Sequence, residues 1–450
     1  MTAKKSILML AATASNSGKT LIMLGLLRAL KHYGIAVAPA KSGPDYIDPA
    51  FHSFASGEPS VNLDGFAMNA PLLQHLVLEQ AGDCVLIEAA MGLYDGSDQG
   101  KGSAAALAST LDCPIILILN AKGSAQSTAM IAASLIKNHQ AFYPAGRICG
   151  VIFNQVLSKR HGDLILGAAK ALNLPLLGLL PFQKDLTLEN RHLGLIQASE
   201  LDQASKLEPL IERASQWITQ HIDLDQIMAC FKPLAAPANL PFPNPQLPAP
   251  PAQHIAIAKD AAFNFLYPHL VMHWRKMGAN LYFFSPLNNE APPEIADFIL
   301  LAGGYPELFL KQIMAATDFK TGLLDLSARN IPIYGECGGY MLLGEAIIDK
   351  HGKAHKMLGL LPHVTSFEAP RLHLGYRYLT PLNPAPFGRS PSPDWHYIAH
   401  EFHYSAMLER DLPQAPPLFS GSAANGDPID HHGSILNHIS GSYHHIIAQS

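Results

Sequence analysis

The sequence predicts an α/β protein of two domains, each built on a largely parallel sheet. Strand-length apolar runs alternate with helix-length segments over the first ~220 residues, and the same alternation starts again after residue 252. Uninterrupted apolar runs of this length are typical of parallel strands that helices cover on both faces. A chain of 450 residues also exceeds what one hydrophobic core usually holds, which favours two or three domains.

The first predicted domain covers residues 1–232. Its apolar runs predict five strands, and the spacing of apolar residues predicts a helix between the first two of them. The strands are predicted at residues 7–11, 36–41, 84–88, 114–119 and 149–154, and the helix at residues 21–33.

A Pro- and Ala-rich stretch, PLAAPANLPFPNPQLPAPPA at residues 233–252, is predicted to be an extended linker. The second predicted domain covers residues 253–450. Strands are predicted at residues 255–258, 280–284, 298–302 and 331–334, and helices at residues 267–277 and 307–326. Beyond residue 380 the chain is rich in Pro, Ser and His, and no elements are predicted there.

Composition and charge exclude several classes of protein. The formal net charge is −5 without a long basic run, which argues against a nucleic-acid partner. No apolar run reaches the ~18 residues that a membrane-spanning helix needs. The five cysteines are widely spaced and include no CxxC pair, as expected for a reduced, cytoplasmic protein. The N-terminus superficially copies a signal peptide, but a first strand that leads into a phosphate loop explains the same residues.

A phosphate-binding loop is predicted where the first strand meets the first helix. The segment AATASNSGKT at residues 11–20 ends in Gly18, Lys19 and Thr20. Backbone N–H groups at the start of a helix face bound phosphates in such loops. Lys19 would balance the phosphate charge, and Thr20 would hold Mg²⁺. The alternative is an ordinary turn between strand and helix, because the first Gly of the common pattern is missing.

Three acidic residues are predicted to lie near this loop. Asp45 and Asp48 follow the second strand, and Glu88 ends the third. Ligands bind beyond the carboxyl ends of parallel strands, so these carboxylates can complete a metal site with Thr20. The alternative for Asp45 and Asp48 is that they only shape a turn bounded by prolines.

A nucleophilic cysteine is predicted in the second domain. The segment IPIYGECGGY at residues 331–340 has the pattern of a strand, a sharp turn and a helix, with Cys337 in the turn. Glycines allow the strained turn that projects a nucleophile, and a helix N-terminus stabilises a thiolate. The alternative is a small buried cysteine in this turn. Gly303, Gly304 and Gly338 lie in Gly-rich turns whose N–H groups can form an oxyanion hole.

A histidine is expected to serve as the base for Cys337. The best context among 22 histidines is the cluster HEFHYS at residues 400–405, where alternation places His403 on the same strand face as Glu401. Residues 427–432 and the pair His444 and His445 are alternatives by composition. No HExxH or similar spacing occurs, so the sequence does not predict a metal site built from histidines.

Eight stretches in order resemble the cobyrinic acid a,c-diamide synthase family, which includes the enzymes that act on hydrogenobyrinic acid. The resemblance covers nearly the whole chain. The stretches are KSGPDYIDPAFH (41–52), EAAMGLYDG (88–96), RHLGL (191–195), FSPL (284–287), GGYPELF (303–309), GECGGYM (335–341), GYR (375–377) and HEFHYS (400–405).

The resemblance implies a dethiobiotin-synthetase-like ATP-binding domain, with a phosphate loop on a parallel sheet, followed by a class I glutamine amidotransferase-like domain. It also implies ATP and Mg²⁺ as cofactors. By motif, the nucleotide would be bound by Ser17, Gly18, Lys19, Thr20 and Asn154. The metal would be held by Thr20, Asp45 and Glu88, and the reacting carboxylate would be bound by Asp45, Tyr46 and Asp48. Cys337 would be the nucleophile and His403 its base.

The implied activity is amidation of the a and c acetate carboxylates of cobyrinic or hydrogenobyrinic acid, in cobalamin biosynthesis. The expected partners are a corrinoid acid and L-glutamine, and a homodimer is compatible with the family. A Ni-sirohydrochlorin a,c-diamide synthase is an alternative with similar motifs, and a ParA/MinD-like ATPase switch is an alternative of another class. Asn16 departs from the family, which often has Gly at that place in the phosphate loop.

Overall fold

The computed structural model describes residues 5–97, 100–186, 207–235, 242, 244–383, 386–387, 394–408, 415–429 and 431–450. The chain divides into two compact units, Met1–Pro241 and Phe242–Ser450. The stretch RHLGL at residues 191–195 lies outside the described residues. Within the described ranges, no helix combines the length and the apolar character that crossing a membrane requires.

The described part of the first unit is built on one sheet of mainly parallel strands. Its strands are β1 (Ser6–Ala12), β2 (Val37–Ser42), β3 (Val61–Leu63), β4 (Cys84–Glu88), β5 (Ile115–Asn120), β6 (Ile148–Val156), β7 (Leu176–Pro181) and β8 (Lys232–Pro233). The order across the sheet is β3-β2-β4-β1-β5-β6-β7, with parallel neighbours, while β8 pairs antiparallel with β1. The five strands predicted here are present, with boundaries that differ by at most two residues.

Helices connect these strands and bury apolar side chains against the sheet. They are α1 (Lys19–His32), α2 (Asp48–Ser56), α3 (Ala70–Glu79), α4 (Ala104–Leu111), α5 (Gln126–Phe142), α6 (Lys159–Ala171), α7 (Leu207–His221) and α8 (Leu224–Cys230). Since β1 lies between β4 and β5, the loop from β1 to α1 opens at the carboxyl edge of the sheet, where ligands bind in such folds. Lys41 of β2 pairs in register with Glu88 of β4, so two charged side chains lie side by side near that edge.

The second unit contains a mainly parallel sheet and two smaller sheets among its described residues. Its strands are β9 (His254–Ala258), β10 (Asn280–Phe284), β11 (Phe298–Leu301), β12 (Ile333–Glu336), β13 (Ala346–Ile348), β14 (Ala354–Lys356), β15 (Val364–Ser366), β16 (His373–Pro381), β17 (Tyr397–His403), β18 (Ala406–Leu408), β19 (Phe419–Ala423), β20 (Ser434–Leu436), β21 (Ile439–Ser442) and β22 (His444–Gln449). The helices are α9 (Pro268–Lys276), α10 (Leu310–Ala315), α11 (Thr317–Ala328) and α12 (Gly338–Leu343).

The main sheet of this unit has the order β10-β9-β11-β12-β21-β20, and only the β20–β21 pair is antiparallel. The four strands predicted before residue 340 belong to this sheet. The smaller sheets have the orders β14-β13-β15-β18 and β19-β16-β17-β22. They occupy the part of the chain for which the sequence predicts little, because short strands with irregular polar spacing leave a weak periodic signal.

The structure corrects the prediction of one helix over residues 307–326. A 3₁₀ turn at Pro306–Leu308 is followed by α10 and then by α11, with non-helical backbone at Ala316. The cause lies outside the segment, because the side-chain oxygen of Asn289 accepts hydrogen bonds from the N–H groups of Asp318 at 2.8 Å and Phe319 at 3.2 Å. A remote residue therefore starts α11 as a separate helix.

Both ends of the stretch predicted as a linker are held by hydrogen bonds within a unit. In the first unit, Leu234 N–H donates to the carbonyl oxygen of Lys5 at 2.7 Å. In the second unit, Trp274 Nε1 donates to the carbonyl oxygen of Pro248 at 3.0 Å. The backbone at both places is therefore part of a packed unit.

Candidate active sites

The phosphate loop joins β1 to α1 in a conformation that suits its residues. Asn16 and Gly18 have positive φ angles of 59° and 86°. Gly adopts this region without strain, and Asn tolerates it better than most residues, so Asn16 can stand where the family often has Gly. Asn154 of β6 donates from Nδ2 to the carbonyl oxygen of Ser17 at 2.9 Å. A Cβ on Gly18 would overlap this amide, so Asn154 holds the loop through a contact that requires Gly.

Lys19 begins α1 and directs its ammonium toward the loop that follows β4. Its Nζ donates to the carbonyl oxygen of Met91 at 2.6 Å and lies 3.4 Å from that of Ala14. Burial lowers the pKa of Lys19, and the nearby Glu88 carboxylate opposes this effect. A phosphate bound at the loop would offer this ammonium a charged partner in place of two carbonyl groups.

Thr20, Asp48 and Glu88 meet beside the phosphate loop. Thr20 Oγ1 donates to Glu88 Oε1 at 2.8 Å and lies 3.3 Å from Asp48 Oδ2. Glu88 ends β4 and Asp48 begins α2, so a strand end and a helix start fix the two carboxylates. Magnesium prefers oxygen ligands of this kind, so these residues fit the metal that the resemblance implies.

A buried lysine, Lys41, lies against the same carboxylates. Its Nζ is 3.1 Å from Glu88 Oε1 and 3.5 Å from Asp45 Oδ2, and it forms a closer ion pair with Asp48. Burial lowers the pKa of Lys41, but the three carboxylates outweigh burial and raise its pKa overall. The lysine therefore stays charged and adds to the positive charge of Lys19 at this edge of the sheet.

His52 orients the Glu88 carboxylate. It is fully buried in α2, and its Nε2 lies 2.6 Å from Glu88 Oε2. Burial raises the pKa of Glu88, but Lys41 and His52 together lower its pKa well below the usual range. Burial and repulsion by Asp45 raise the pKa of Asp48 to about 6. The two carboxylates next to Thr20 therefore differ in how readily they accept a proton.

Asp45 shapes the turn before α2. Its Oδ1 accepts hydrogen bonds from two backbone N–H groups of the turn, at 2.8 and 3.1 Å. This is the turn-forming role that the sequence left open. Asp48, rather than Asp45, lies within hydrogen-bonding distance of Thr20. Tyr46 is half-buried in the same turn.

Cys337 occupies a strained turn between β12 and α12. Its φ and ψ angles are 44° and −103°, a combination that side chains avoid and that turns carrying a nucleophile adopt. Its N–H donates to the carbonyl oxygen of Ser442 at 2.8 Å, at the end of the neighbouring strand β21. A Cβ on Gly339 would overlap the carbonyl group of Leu301, so Gly allows α12 to start this close to β11.

The backbone N–H groups of Gly304 and Gly338 lie near the Cys337 sulfur. Burial raises the pKa of the Cys337 thiol, Glu307 raises it further, and these two N–H groups act in the opposite direction. A Cβ on Gly338 would lie 2.9 Å from the carbonyl oxygen of Gly304, so the two turns are in direct contact. The structure thus brings together two of the donors predicted for an oxyanion hole.

His403 lies near this site but is engaged at both ring nitrogens. Its Nε2 is 2.9 Å from Glu401 Oε1, and its Nδ1 is 3.0 Å from the carbonyl oxygen of Ser405. The Cys337 sulfur lies 3.7 Å from the carbonyl oxygen of Phe402, the residue before His403. A base for Cys337 needs a ring nitrogen that can take its proton, so these contacts count against His403.

His445 is a second candidate base. A Cβ on Gly303 would overlap its ring, so the imidazole lies directly on this turn, and the N–H group of the next residue, Gly304, lies near the Cys337 sulfur. Its Nδ1 is 3.8 Å from Oε2 of Glu336, the residue before the nucleophile. Burial lowers the pKa of His445, which keeps the ring neutral and able to accept a proton at neutral pH.

The roles of Lys41 and His52 were not predicted from the sequence, and His445 was named only as an alternative base by composition. The first two lie within the stretch KSGPDYIDPAFH, and a lysine at the end of a buried strand is a signal that could have been used. His445 has no comparable signal, because the strand before it, β21, has four residues and contains Gly. The parallel pairing of β21 with β12 is what brings its carboxyl end beside Cys337.

Two family models match the chain. The model described as a CobQ/CobB/MinD/ParA nucleotide binding domain matches residues 8–196, which include the phosphate loop and its acidic neighbours. The model described as a CobB/CobQ-like glutamine amidotransferase domain matches residues 254–450, which include Cys337.

Curated relatives named hydrogenobyrinate a,c-diamide synthase are similar to the whole chain. The Rhodobacter capsulatus protein is 45% identical over 446 residues, covering 98% of each chain. The Brucella anthropi protein is 43% identical over 98% of each chain, and the Agrobacterium fabrum protein is 41% identical over 100% of each.

Solved structures resemble parts of the chain only distantly. A glutamine amidotransferase aligns with 12% identity and a TM-score of 0.30, covering 42% of this chain and 89% of that one. FtsY from Mycoplasma mycoides aligns with 14% identity and a TM-score of 0.31, covering 48% and 68%. Likenesses at this level carry no argument about function.

Proposed function

Because the chain belongs to the hydrogenobyrinate a,c-diamide synthase family, we propose that it uses ATP and glutamine to amidate the a and c acetate carboxylates of a corrinoid acid. This reaction is a step of cobalamin biosynthesis. The proposal rests on the observation that each unit brings together side chains suited to one half of this reaction. Lys19 begins the helix after the phosphate loop, Lys41 pairs with Asp48 and Glu88 beside it, and the N–H groups of Gly304 and Gly338 lie near the Cys337 sulfur.

The first unit would activate the carboxylate. A carboxylate is a poor acceptor for ammonia, so its oxygen first attacks the γ-phosphorus of ATP, which releases ADP and leaves an acyl phosphate. Lys19 and Lys41 stabilise the charge on the transferring phosphoryl group. Thr20, Asp48 and Glu88 would hold Mg²⁺, which would neutralise phosphate charge. Ammonia then adds to the acyl carbon, and phosphate leaves to give the amide.

The second unit would supply the ammonia. The Cys337 sulfur attacks the amide carbon of glutamine, while the N–H groups of Gly304 and Gly338 bind the oxyanion. A histidine takes the thiol proton and passes it to the departing ammonia, and water then hydrolyses the thioester to glutamate. The position of His445 supports it as this base, and His403 is the alternative.

We further propose that the macrocycle that receives the amide groups is metal-free. The names of the relatives favour hydrogenobyrinic acid, the metal-free ring, over cobyrinic acid or Ni-sirohydrochlorin. Mass spectrometry of products formed from each ring with ATP, Mg²⁺ and glutamine distinguishes them, because replacing OH by NH₂ lowers the mass by about 1 Da per amidation. Two such losses with hydrogenobyrinic acid are expected, whereas product from the nickel ring alone would contradict the proposal.

A ParA/MinD-like nucleotide switch is the alternative of another class. The phosphate loop by itself is compatible with such a switch. The strained turn at Cys337 favours an enzyme, because a switch has no use for a nucleophile held against two N–H donors. A cytoplasmic location and a homodimeric assembly stay predictions from the sequence.

The substitution Cys337→Ala tests whether the two activities are separate. Amidation with glutamine is expected to fall by at least about 10³-fold, because the thioester cannot form, while amidation with added ammonium is retained. Both rates are measured by mass spectrometry of the product. The matched variant Lys19→Ala is expected to lose amidation with either nitrogen source but to keep glutamine hydrolysis. If Cys337→Ala also lost ammonium-driven amidation, the assignment of two separate sites would be wrong.

A further inference from the structure

Four side chains of the second unit converge at the end of β17, and we call His373, Glu401, His403 and His431 the histidine cluster. Each offers one nitrogen or oxygen ligand atom, and these atoms lie within 4.8 Å of one another. Glu401 and His403 are buried, whereas His373 and His431 are half-buried. The four residues come from distant parts of the chain, so no spacing motif in the sequence predicts them.

The sheet register places three members of the histidine cluster on one face. β16 and β17 are antiparallel, and His373 lies directly opposite His403. Glu401 precedes His403 by two residues, so its side chain leaves the same face of β17. Two side chains at alternate positions of a strand and a third from its neighbour form a compact frame for an ion.

The fourth member, His431, comes from the loop before β20. The next residue, His432, makes two contacts with Phe419. The carbonyl oxygen of His432 accepts a hydrogen bond from Phe419 N–H at 2.9 Å, and the His432 Nδ1 lies 3.1 Å from the Phe419 carbonyl oxygen. These contacts fasten the loop to β19. The ring of His431 lies 5.3 Å from that of His373 and 5.6 Å from that of His403, measured between centroids.

Arg377 and Ser405 orient the two buried members. Arg377 binds Glu401 Oε2 through Nε at 2.9 Å and Nη2 at 2.6 Å. Glu401 Oε1 then faces Nε2 of His403, 2.9 Å away. When His403 donates from Nδ1 to the Ser405 carbonyl oxygen at 3.0 Å, its Nε2 lone pair faces a carboxylate oxygen. A cation between Glu401 Oε1 and His403 Nε2 would stabilise this arrangement of two electron-pair donors. The hydrogen bonds from Arg377 to Glu401 and from His403 to Ser405 are of the kind that hold metal ligands in place.

We propose that the histidine cluster binds a divalent transition-metal ion, with Zn²⁺ as its preferred occupant. Three imidazoles and one carboxylate suit tetrahedral Zn²⁺, whereas Mg²⁺ and Ca²⁺ prefer oxygen ligands alone. Tetrahedral zinc ligands stand roughly 3.3 Å apart. The four ligand atoms of the cluster now lie within 4.8 Å of one another, so the half-buried rings of His373 and His431 must rotate to bring them to this shorter distance. The His373 ring would leave its stack on His403, where the centroids are 4.7 Å apart.

Zinc in the histidine cluster inhibits glutamine hydrolysis. The carbonyl oxygen of Phe402, the residue before His403, contacts the Cys337 sulfur at 3.7 Å. A metal held by His403 and Glu401 fixes the end of β17 against the nucleophile. This consequence rests on the proposed glutaminase activity, whereas metal binding itself does not.

Metal binding is tested on the full chain, stripped of metal and titrated with Zn²⁺ without ATP or corrinoid. Elemental analysis is expected to find one Zn²⁺ per chain. The double variant His373→Asn, His431→Asn keeps Cys337 and both candidate bases, and it is expected to bind Zn²⁺ at least about 100-fold more weakly. Bound Co²⁺ is expected to give visible absorption without a thiolate-to-cobalt charge-transfer band. Equal zinc affinity of both proteins, or thiolate ligation of Co²⁺, would overturn the site.

Inhibition is tested by glutamine hydrolysis without ATP. One equivalent of Zn²⁺ is expected to lower the rate of the wild-type chain by at least about 10-fold and to leave the double variant unaffected. Equal inhibition of both proteins would overturn the regulatory role and point to zinc on Cys337. A wild-type chain that binds zinc but never hydrolyses glutamine would count against the proposed function and leave the metal site standing.

Discussion

Cys337 and His445, the proposed nucleophile and base, are both held in their uncharged forms by burial. Burial raises the pKa of the thiol and lowers the pKa of the imidazole. The proton must therefore move while the sulfur attacks glutamine, and the N–H groups of Gly304 and Gly338 stabilise the charge that develops. Because burial disfavours the thiolate, a site of this kind depends strongly on its base.

The substitution His445→Ala is expected to lower kcat for glutamine hydrolysis by about 10²–10⁴-fold, because the thiol proton loses its acceptor. Amidation with ammonium is expected to stay at the wild-type level, since it does not use Cys337. Both rates are followed by the release of glutamate and by mass spectrometry of the amide. The matched variant His403→Asn separates the two candidates. A large loss in His403→Asn together with a small loss in His445→Ala would reverse the assignment.

At the scale of elements, α1 is the helix that positions the phosphate site. It begins with Lys19 and packs closely on α7, where Arg28 pairs with Glu208 at 2.6 Å. A Cβ on Gly25 would stand 2.7 Å from Ile218 Cγ1 and 2.8 Å from the carbonyl oxygen of Ala214. The two helices therefore meet at a glycine, and a side chain there would push α1 away from its neighbour.

Gly25→Ala is expected to destabilise the first unit by about 1–3 kcal/mol, because the backbone carbonyl of α7 cannot move aside without shifting the helix. Urea unfolding followed by circular dichroism measures the change. The matched variant Gly167→Ala lies in α6, where an added Cβ meets nothing within 4 Å. It is expected to stabilise by about 0.5–1 kcal/mol, since Ala restricts the unfolded chain and favours a helix. Similar effects in both variants would contradict the packing argument.

The elements differ in how well the sequence predicts them. β4 and β10 are predicted to the residue, because a short apolar run with polar residues at its boundaries defines each strand. The break between α10 and α11 is not predicted, since the Asn289 side chain that starts α11 lies outside the helical segment. Local patterns therefore identify elements that depend on their own residues and miss boundaries that depend on distant ones.

At the scale of the whole molecule, the second unit buries several histidines in neutral form. Burial lowers the pKa of His269 and His363 to about 4 and that of His444 to about 3. An unfolded chain binds protons at these residues near pH 6.5, so unfolding takes up protons as the pH falls below that value. Glu336 acts in the opposite direction, because burial raises its pKa to about 8 and the folded unit holds its proton.

Acidification from pH 7 to pH 5 is therefore expected to lower the free energy of unfolding of the second unit by at least about 3 kcal/mol, since these three histidines and the buried His445 outweigh one glutamate. The measurement is urea unfolding at several pH values, followed through the fluorescence of Trp274 and Trp395, both in the second unit, in a Trp217→Phe background. His363→Gln removes one titrating group and should flatten this pH dependence. Stability that stays constant or rises as the pH falls would show that the histidines are not held neutral.

The sequence by itself determined the features that depend on neighbouring residues: the two α/β halves, the phosphate loop at Gly18, and the sharp turn at Cys337. Apolar runs and glycine positions act over a few residues, so their structural consequences can be predicted locally. Only the tertiary structure decided that Asp48 contacts Thr20, that His445 lies beside Cys337, and that the histidine cluster exists. The first contact joins the starts of two helices, and the other two features arise where separate strands pair, as β12 with β21 and β16 with β17, which no local pattern encodes.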